Sequence, residues 1–513
     1  MRPRMRRHLV NDAVKHLGRP VRENAKGGTA QQAKPLTKRP DMTWHDHLVM
    51  LLHIGAEIEH GLMVQYLYAA YSLGGEQVPE KHQSMVKGWQ ENILAVAREE
   101  MGHLLSVQNI LTLLGAPINL DREDFPWDIQ YYPFPFKLEP FTMESLSCYV
   151  YAEMPPESEF IETLEKTPGK RRLPRYRQFE AKDKARIEES VRKRAPVGRL
   201  HRVGTIYDEI IEILGDSKRI PDTAFQEHTF GMQGSWDDWG RGYQPDPRLL
   251  DAEGNPKPSD RPAASGREAH VIIDQVATRT QALAALRALS AQGEAPHLAA
   301  DETDEPSHFD RFLEIYQEFD TIKDERWRPS RCVPVNPTTL NDPDAPNRDG
   351  FIAAKRSRDW AELFNLRYRI LLTYLAHTFR LARVTRGDAP SVRAVVMHRV
   401  FGEMYNLKTI AGILVRLPLR DGGSGDGASA DAACAGPPFE MPYNLRLPPA
   451  ESDAWRLHRD LLGSSDRLCH AMLASPDTEG RAYLKTLIDL GAQSRAWIDQ
   501  ILAGLGSTER HCV

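Results

Sequence analysis

The sequence predicts an all-α fold: a four-helix bundle with long insertions and an additional C-terminal helical region. Three observations predict it. Apolar residues recur at helical period over long segments, these segments come in closely linked pairs, and no segment reads as β-rich.

The first helix is expected over about 43 to 73, with Leu48, Leu51, Leu52, Gly55, Ala56, Leu62, Met63, Tyr66, Leu67 and Ala70 on one stripe. Thr43 and Asp46 are start signals and Gly74-Gly75 the stop. A second helix, about 82 to 114, ends at Gly115-Ala-Pro117, where glycine closes the helix and proline prevents its continuation. A short loop joins the two, so they pack antiparallel. From 118 to 270 the pattern loosens into a decorated connection. It holds an aromatic and proline-rich stretch from Phe125 to Phe141, short helices near 142 to 153 and 203 to 215, a charged stretch at 165 to 195, and a loop-like Trp236 to Pro262 region. Helical period returns at about 268 to 292 and 304 to 320, a second antiparallel pair. After a loop at 329 to 348, further helices are expected near 357 to 386, 389 to 416 and 450 to 504, with a loop at 421 to 436. The division read from this is a basic, poorly ordered arm at 1–40, a bundle at 41–328 with an insertion at 118–267, and a C-terminal helical region at 350–513.

Composition excludes several classes. Of 513 residues 41% are hydrophobic, ample for sizeable cores and against a disordered chain. Lys plus Arg number 66 against 71 Asp plus Glu, a net charge of -5 that implies no nucleic acid partner. No run approaches the roughly 20 apolar residues that span a bilayer, so no membrane partner is expected. The five cysteines, Cys148, Cys332, Cys434, Cys469 and Cys512, are scattered without a CxxC, which fits a reducing, cytoplasmic setting.

Chemistry is expected on the inner helix faces. Glu59 lies on the apolar stripe of the first helix, where a lone carboxylate is costly unless paired or bound to metal. Glu100 and His103 face inward from the second helix among Ile93, Val96, Leu104 and Val107. An acidic-x-x-His pair alone says little: 71 acidic residues and 18 histidines in 513 positions give about 2.5 by chance, and the chain has four. Context favours Glu100/His103 and Glu305/His308, the latter opening onto Phe309, Phe312, Leu313, Tyr316 and Phe319. On a helix the i, i+3 spacing puts carboxylate and imidazole on one face, able to chelate one ion. A di-metal bundle site combines two such pairs with one Glu from each of two other helices. Glu59 is one of these. For the other Glu294 is preferred, with Glu209 next and Asp208 and Glu153 behind. His53, His60, His377, His398 and His470 read as surface or core histidines, and Tyr66 and Tyr316 as core aromatics, with support of the metal ligands as the lesser alternative.

The segments Glu59-His-Gly-Leu-Met-Val-Gln-Tyr66, Arg98-Glu-Glu100-Met-Gly-His103 and Leu114-Gly-Ala-Pro117 resemble the ferritin-like superfamily. More closely they resemble the iminophenyl-pyruvate dimer synthase domain of violacein and rebeccamycin-type pathways. Glu139-Pro-Phe, Glu153-Met-Pro, Gln292-Gly-Glu294, Ser307-His308-Phe-Asp-Arg-Phe312 and Pro437-Pro-Phe-Glu440 extend the likeness. It covers roughly 45 to 325 well and 350 to 505 loosely. The resemblance implies metal ligands at Glu59, Glu100, His103, Glu294, Glu305 and His308. Two departures stand out: Pro306 inside Glu305-Pro-Ser-His308, tolerable only at the very start of a helix, and Ala295 in place of the family's second glycine. The function so implied is a di-metal oxidative enzyme holding two Fe ions, with Mn as the alternative. It would act with dioxygen or peroxide on a small-molecule substrate derived from an amino acid. Self-association into a homo-oligomer stays open. The rival readings are a ferroxidase or iron-handling protein, a manganese-catalase-like protein, and a metal-free helical scaffold.

Overall fold

The computed structural model of the protein describes residues 38, 40–127, 132, 134–155, 181–194, 203–235, 271–294, 306–322, 327–381, 391–421, 433–475 and 478–509. Among them the structure is α-helical with short 3-10 turns, and β pairing is confined to isolated bridges. No helix of the described residues is long and apolar enough to cross a membrane.

Helix α1 spans Trp44–Ser72 and opens on a reciprocal cap. The Thr43 hydroxyl accepts the Asp46 N–H, and the Asp46 carboxylate accepts the Thr43 N–H. It stops where Gly74 and Gly75 take φ of +83° and +120°, a region that side chains rarely enter. Helix α2, Glu80–Leu113, returns along α1 and is its main packing partner. The connection that follows contains α3 (Met143–Ala152), α4 (Ala181–Arg192) and α5 (Gly204–Gly215). Two later helices, α6 (Arg279–Glu294) and α7 (His308–Ile322), complete this half. Helix α3 packs on α7 and α4, and α5 packs on α1 and α6, so the connection forms walls of the bundle.

Two boundaries differ from the helical period. The third long helix begins at Arg279 because residues 271–276 run extended across α2. There the Ser106 hydroxyl donates to the Ile272 carbonyl (3.3 Å) and the Asn109 amide to the Asp274 carbonyl (2.9 Å). The apolar Val271, Ile272 and Ile273 are buried by this crossing, which mimics a helical stripe in sequence. Helix α7 begins at His308, since Ser307 and Asp310 form a reciprocal cap at 3.2 Å just after Pro306.

The C-terminal half is a second helical array. Helices α8 (Lys355–Thr378) and α9 (Val392–Leu414) pair, α10 (Glu451–Leu473) and α11 (Arg481–Glu509) pair, and α8 packs on α10. The break between α10 and α11 falls before Gly480, which has a φ of +69°. One apolar core runs through both halves. Buried polar groups join them: Arg122 donates to the Phe439 carbonyl (2.5 Å), His60 bonds the Tyr368 hydroxyl, and Arg393 donates to the carbonyls of Met232 (2.9 Å) and Gln233 (2.6 Å).

Candidate metal centre

Midway along the first half, carboxylates and imidazoles converge in a buried core. Glu59 comes from α1, Glu99, Glu100 and His103 from α2, Glu153 from the residue capping α3, and His308 from the first position of α7. All six side chains are buried. His103 Nδ1 lies 3.1 Å from Glu100 Oε2 and 3.5 Å from Glu59 Oε2. His308 Nδ1 lies 2.9 Å from Glu100 Oε1 and 3.8 Å from Glu153 Oε2. Glu100, His103 and His308 each offer a ligand atom, and these atoms lie within 4.8 Å of one another.

The outer side of each imidazole is occupied. His103 Nε2 meets Gln292 Oε1 at 3.0 Å, and His308 Nε2 meets Glu99 Oε2 at 2.9 Å. An acceptor on Nε2 draws the ring proton there and leaves the Nδ1 lone pair facing the other carboxylates, the arrangement that orients a metal-bound histidine. His308 Nδ1 is buried and, despite its 2.9 Å approach to Glu100, lacks hydrogen-bond geometry to any partner. Two tyrosines hold the carboxylates. Tyr207 on α5 donates to Glu59, and Tyr66 on α1 donates to Glu153 Oε1 at 2.5 Å. Small residues make room for this: Gly55 lies beside the Tyr207 ring and Gly293 beside Glu153 Oε2.

Charge decides what the site suits. Arg311 Nη1 donates to Glu99 Oε1 at 2.8 Å and balances that carboxylate. Glu59, Glu100 and Glu153 remain, three negative charges with neutral imidazoles, in a core where an uncompensated charge is costly. Without a cation, protons must fill the gap. Burial, reinforced by the charge of Glu100, pushes Glu59 up to about 7. Burial alone would lower His103, but the charge and hydrogen bonds of Glu100 and Glu59 outweigh it and hold the ring up at about 10. His308 is raised well above its ordinary range in the same way, chiefly by Glu100 against burial. Carboxylate oxygens around two buried imidazole Nδ1 atoms, with excess negative charge, fit divalent iron or manganese.

Of the six residues singled out from sequence, Glu59, Glu100, His103 and His308 meet here. Glu294 is the last residue of α6 and its side chain lies outside the described residues, as does all of Glu305. Gln292 and Gly293, just before Glu294, do reach the cluster. Glu209 reaches His47 instead, at 3.4 Å, and Asp208 is exposed. Glu153, placed with Asp208 behind Glu294 and Glu209 for the remaining carboxylate, sits beside His308. Glu99 and Tyr207 were not anticipated. The sequence signal for Glu99 is Arg311, one turn after His308, which supplies a cation for a second inward carboxylate on α2.

A ferritin-like family model matches residues 52–317. The chain is also similar to dichlorochromopyrrolate synthase of Lentzea aerocolonigenes, at 25% identity over 440 residues. That alignment covers 79% of this chain and 36% of the relative, so the chain spans little more than a third of that protein's length. No solved structure matches. With more than half of its residues under the family model, and every residue of the buried cluster inside that span, the chain belongs to the ferritin-like family.

Proposed function

We propose that the chain is an oxidative metalloenzyme that uses two divalent ions, iron in the first place, to oxidise or couple a small amino-acid-derived intermediate. The observation that carries this is the pair of imidazoles, each pinned through Nε2, whose Nδ1 atoms face three uncompensated carboxylates in a closed core. Glu59, Glu100, His103, Glu153 and His308 would hold the metals, with Glu294 and Glu305 as further candidates. When bound, the metals supply the redox equivalents for reducing dioxygen or peroxide. The protein's part is orientation. Tyr207 and Tyr66 each present an O–H to one carboxylate and keep its free oxygen turned toward the imidazoles. Gln292 and Glu99 hold the two ring tautomers, and Arg311 keeps Glu99 anionic so that it accepts the His308 proton. Leu62, Val203 and Leu289 border the site and limit access by water. The substrate class is taken from the likeness to a pigment-pathway synthase, which is analogy.

The test is elemental analysis of the purified chain beside a Glu100→Ala/His103→Ala double variant, each loaded with ferrous or manganous ion. About two ions per chain are expected in the wild type, the number such bundle sites hold, and loss of them in a variant that stays folded. Dioxygen consumption by the ferrous form, against peroxide disproportionation by the manganous form, separates the two metals. No bound metal, or equal metal in both proteins, would sink the proposal and favour the scaffold reading.

A further inference from the structure

Away from the carboxylate cluster, a cleft of about 350 Å³ opens where the end of α1 and the start of α2 meet α9. Four cations line it, Lys87, Arg331, Lys408 and Arg416, and among the described residues no carboxylate does. Arg331 is half-buried and gives one hydrogen bond, from Nη1 to the Leu73 carbonyl at 2.5 Å. Its titratable neighbours are Arg416 and the Cys434 thiol, which burial keeps protonated, and among the described residues no ion pair neutralises it. Lys408 is exposed and has no ion-pair partner among the described residues. Among the described residues the ion pairs of Lys87 and Arg416 are long, 3.7 Å to Glu91 and 3.6 Å to Glu479.

Four like charges around one concavity repel each other, and a half-buried guanidinium with unused donors adds to that cost. In a chain of net charge -5 this is a local reversal of sign rather than a general basic surface. The rest of the lining includes the apolar Tyr71, Val78 and Val86 beside the amides of Gln83 and Gln90. A concave site with an apolar wall and a few convergent polar groups suits a small molecule rather than an extended polyanion. Tyr71 lies twelve residues beyond Glu59 on α1, about 18 Å of helix rise, so the cleft is separate from the metal cluster.

We propose that this cleft binds a small organic anion, its oxyanion head held by Arg331, Lys408 and Arg416 and its apolar body laid on Tyr71, Val78 and Val86. The head is a carboxylate or a phosphate, two sources of the same recognition chemistry. An occupant would touch α1 and α2 of the first half and α9 of the second, and so would couple the two.

The experiment is calorimetric titration of the full chain at low salt with phenyl phosphate and, separately, with benzoate. It is repeated for Lys408→Glu and Arg331→Gln, with circular dichroism to check folding. Saturable binding of at least one probe is expected, weakened about tenfold or more in each variant and weakened by added salt. Binding of phenyl phosphate alone would assign a phosphate head, of benzoate alone a carboxylate, and of both a general oxyanion site. Lys408→Glu changes an exposed side chain without an ion-pair partner among the described residues, so its result stands even if Arg331→Gln fails to fold. Absence of saturable binding by either probe, or equal affinity in Lys408→Glu and the wild type, would overturn the proposal.

Discussion

Gly102 stands between Glu100 and His103 on α2, and a Cβ there would lie 2.7 Å from both the Ile272 carbonyl oxygen and Val271 Cγ1. One of those atoms is backbone, so relief requires the 271–276 crossing to move off the helix. Gly102→Ala should therefore destabilise the chain by about 2 kcal/mol or more, as overpacking does, despite alanine's better helix propensity. A stability gain in chemical denaturation would show that the crossing yields easily. Tyr207 is subtler. Tyr207→Phe removes the hydroxyl from Glu59 and leaves the ring, so the fold should persist while metal affinity falls about tenfold, the usual cost of losing a group that orients a ligand. Competition with a chelator measures it, and unchanged affinity would make Tyr207 a packing residue only. Neither position stood out in the sequence. Gly102 reads as a mild helix weakener and Tyr207 as one more apolar residue of a short amphipathic helix.

Helices α8 and α10 meet through two buried histidines, with His377 Nδ1 2.9 Å from His458 Nε2 and His377 Nε2 2.9 Å from Glu451 Oε1. Burial, then the nearby charges of His377 and Arg399, holds His458 well below 6.5. Burial also lowers His377, against Glu451. On α1, burial and then Arg122 keep His60 well below 6.5. A histidine depressed in the fold takes its proton more readily unfolded. Stability is therefore full above the ordinary value of 6.5 and is lost as pH falls through it, at about 1.4 kcal/mol per pH unit for each such site. Glu59, His103 and His308, raised in the fold, act with the opposite sign over the same range, so the readout is the difference between proteins. Between pH 7.5 and 5.5 His458→Gln should lose less stability on acidification than the wild type, and identical pH dependence of the two denaturation midpoints would contradict the depressed value of His458. At this scale the long helices were legible, because α1, α2, α8 and α9 carry sustained apolar stripes between plain stop signals. What was not legible was the partnership of the short ones. Helices α3 and α5 carry Glu153 and Tyr207, but their packing on α7 and α1 depends on contacts far apart in sequence that no local period records. The buried 271–273 run imitates the start of α6 for the same reason: periodicity reports burial, not the neighbour that causes it.

The two halves share one core and are joined through Arg393, whose guanidinium serves carbonyls on the far side of the boundary. Arg393→Met should cost about 3 kcal/mol, since buried carbonyls lose a charged donor. In the wild type both halves should melt in one calorimetric transition. Two separated transitions would mean that the seam is weaker than its buried bonds indicate. The division into a bundle at 41–328 and a C-terminal region at 350–513 was read from loops, and loops mark where a chain turns rather than where a core ends. The cluster also carries a consequence for how the chain is made. Glu99 and His308 are 209 residues apart, and Tyr207 is 148 residues from the Glu59 it holds. During synthesis α1 and α2 emerge before α7 and pair as a hairpin with Glu59, Glu99, Glu100 and His103 on its inner face, while His308 and Arg311, the partners of Glu100 and Glu99, are still unmade. Until α7 leaves the ribosome that hairpin exposes an acidic, half-apolar surface, and its vulnerability to misassembly lasts for the time taken to translate the intervening stretch.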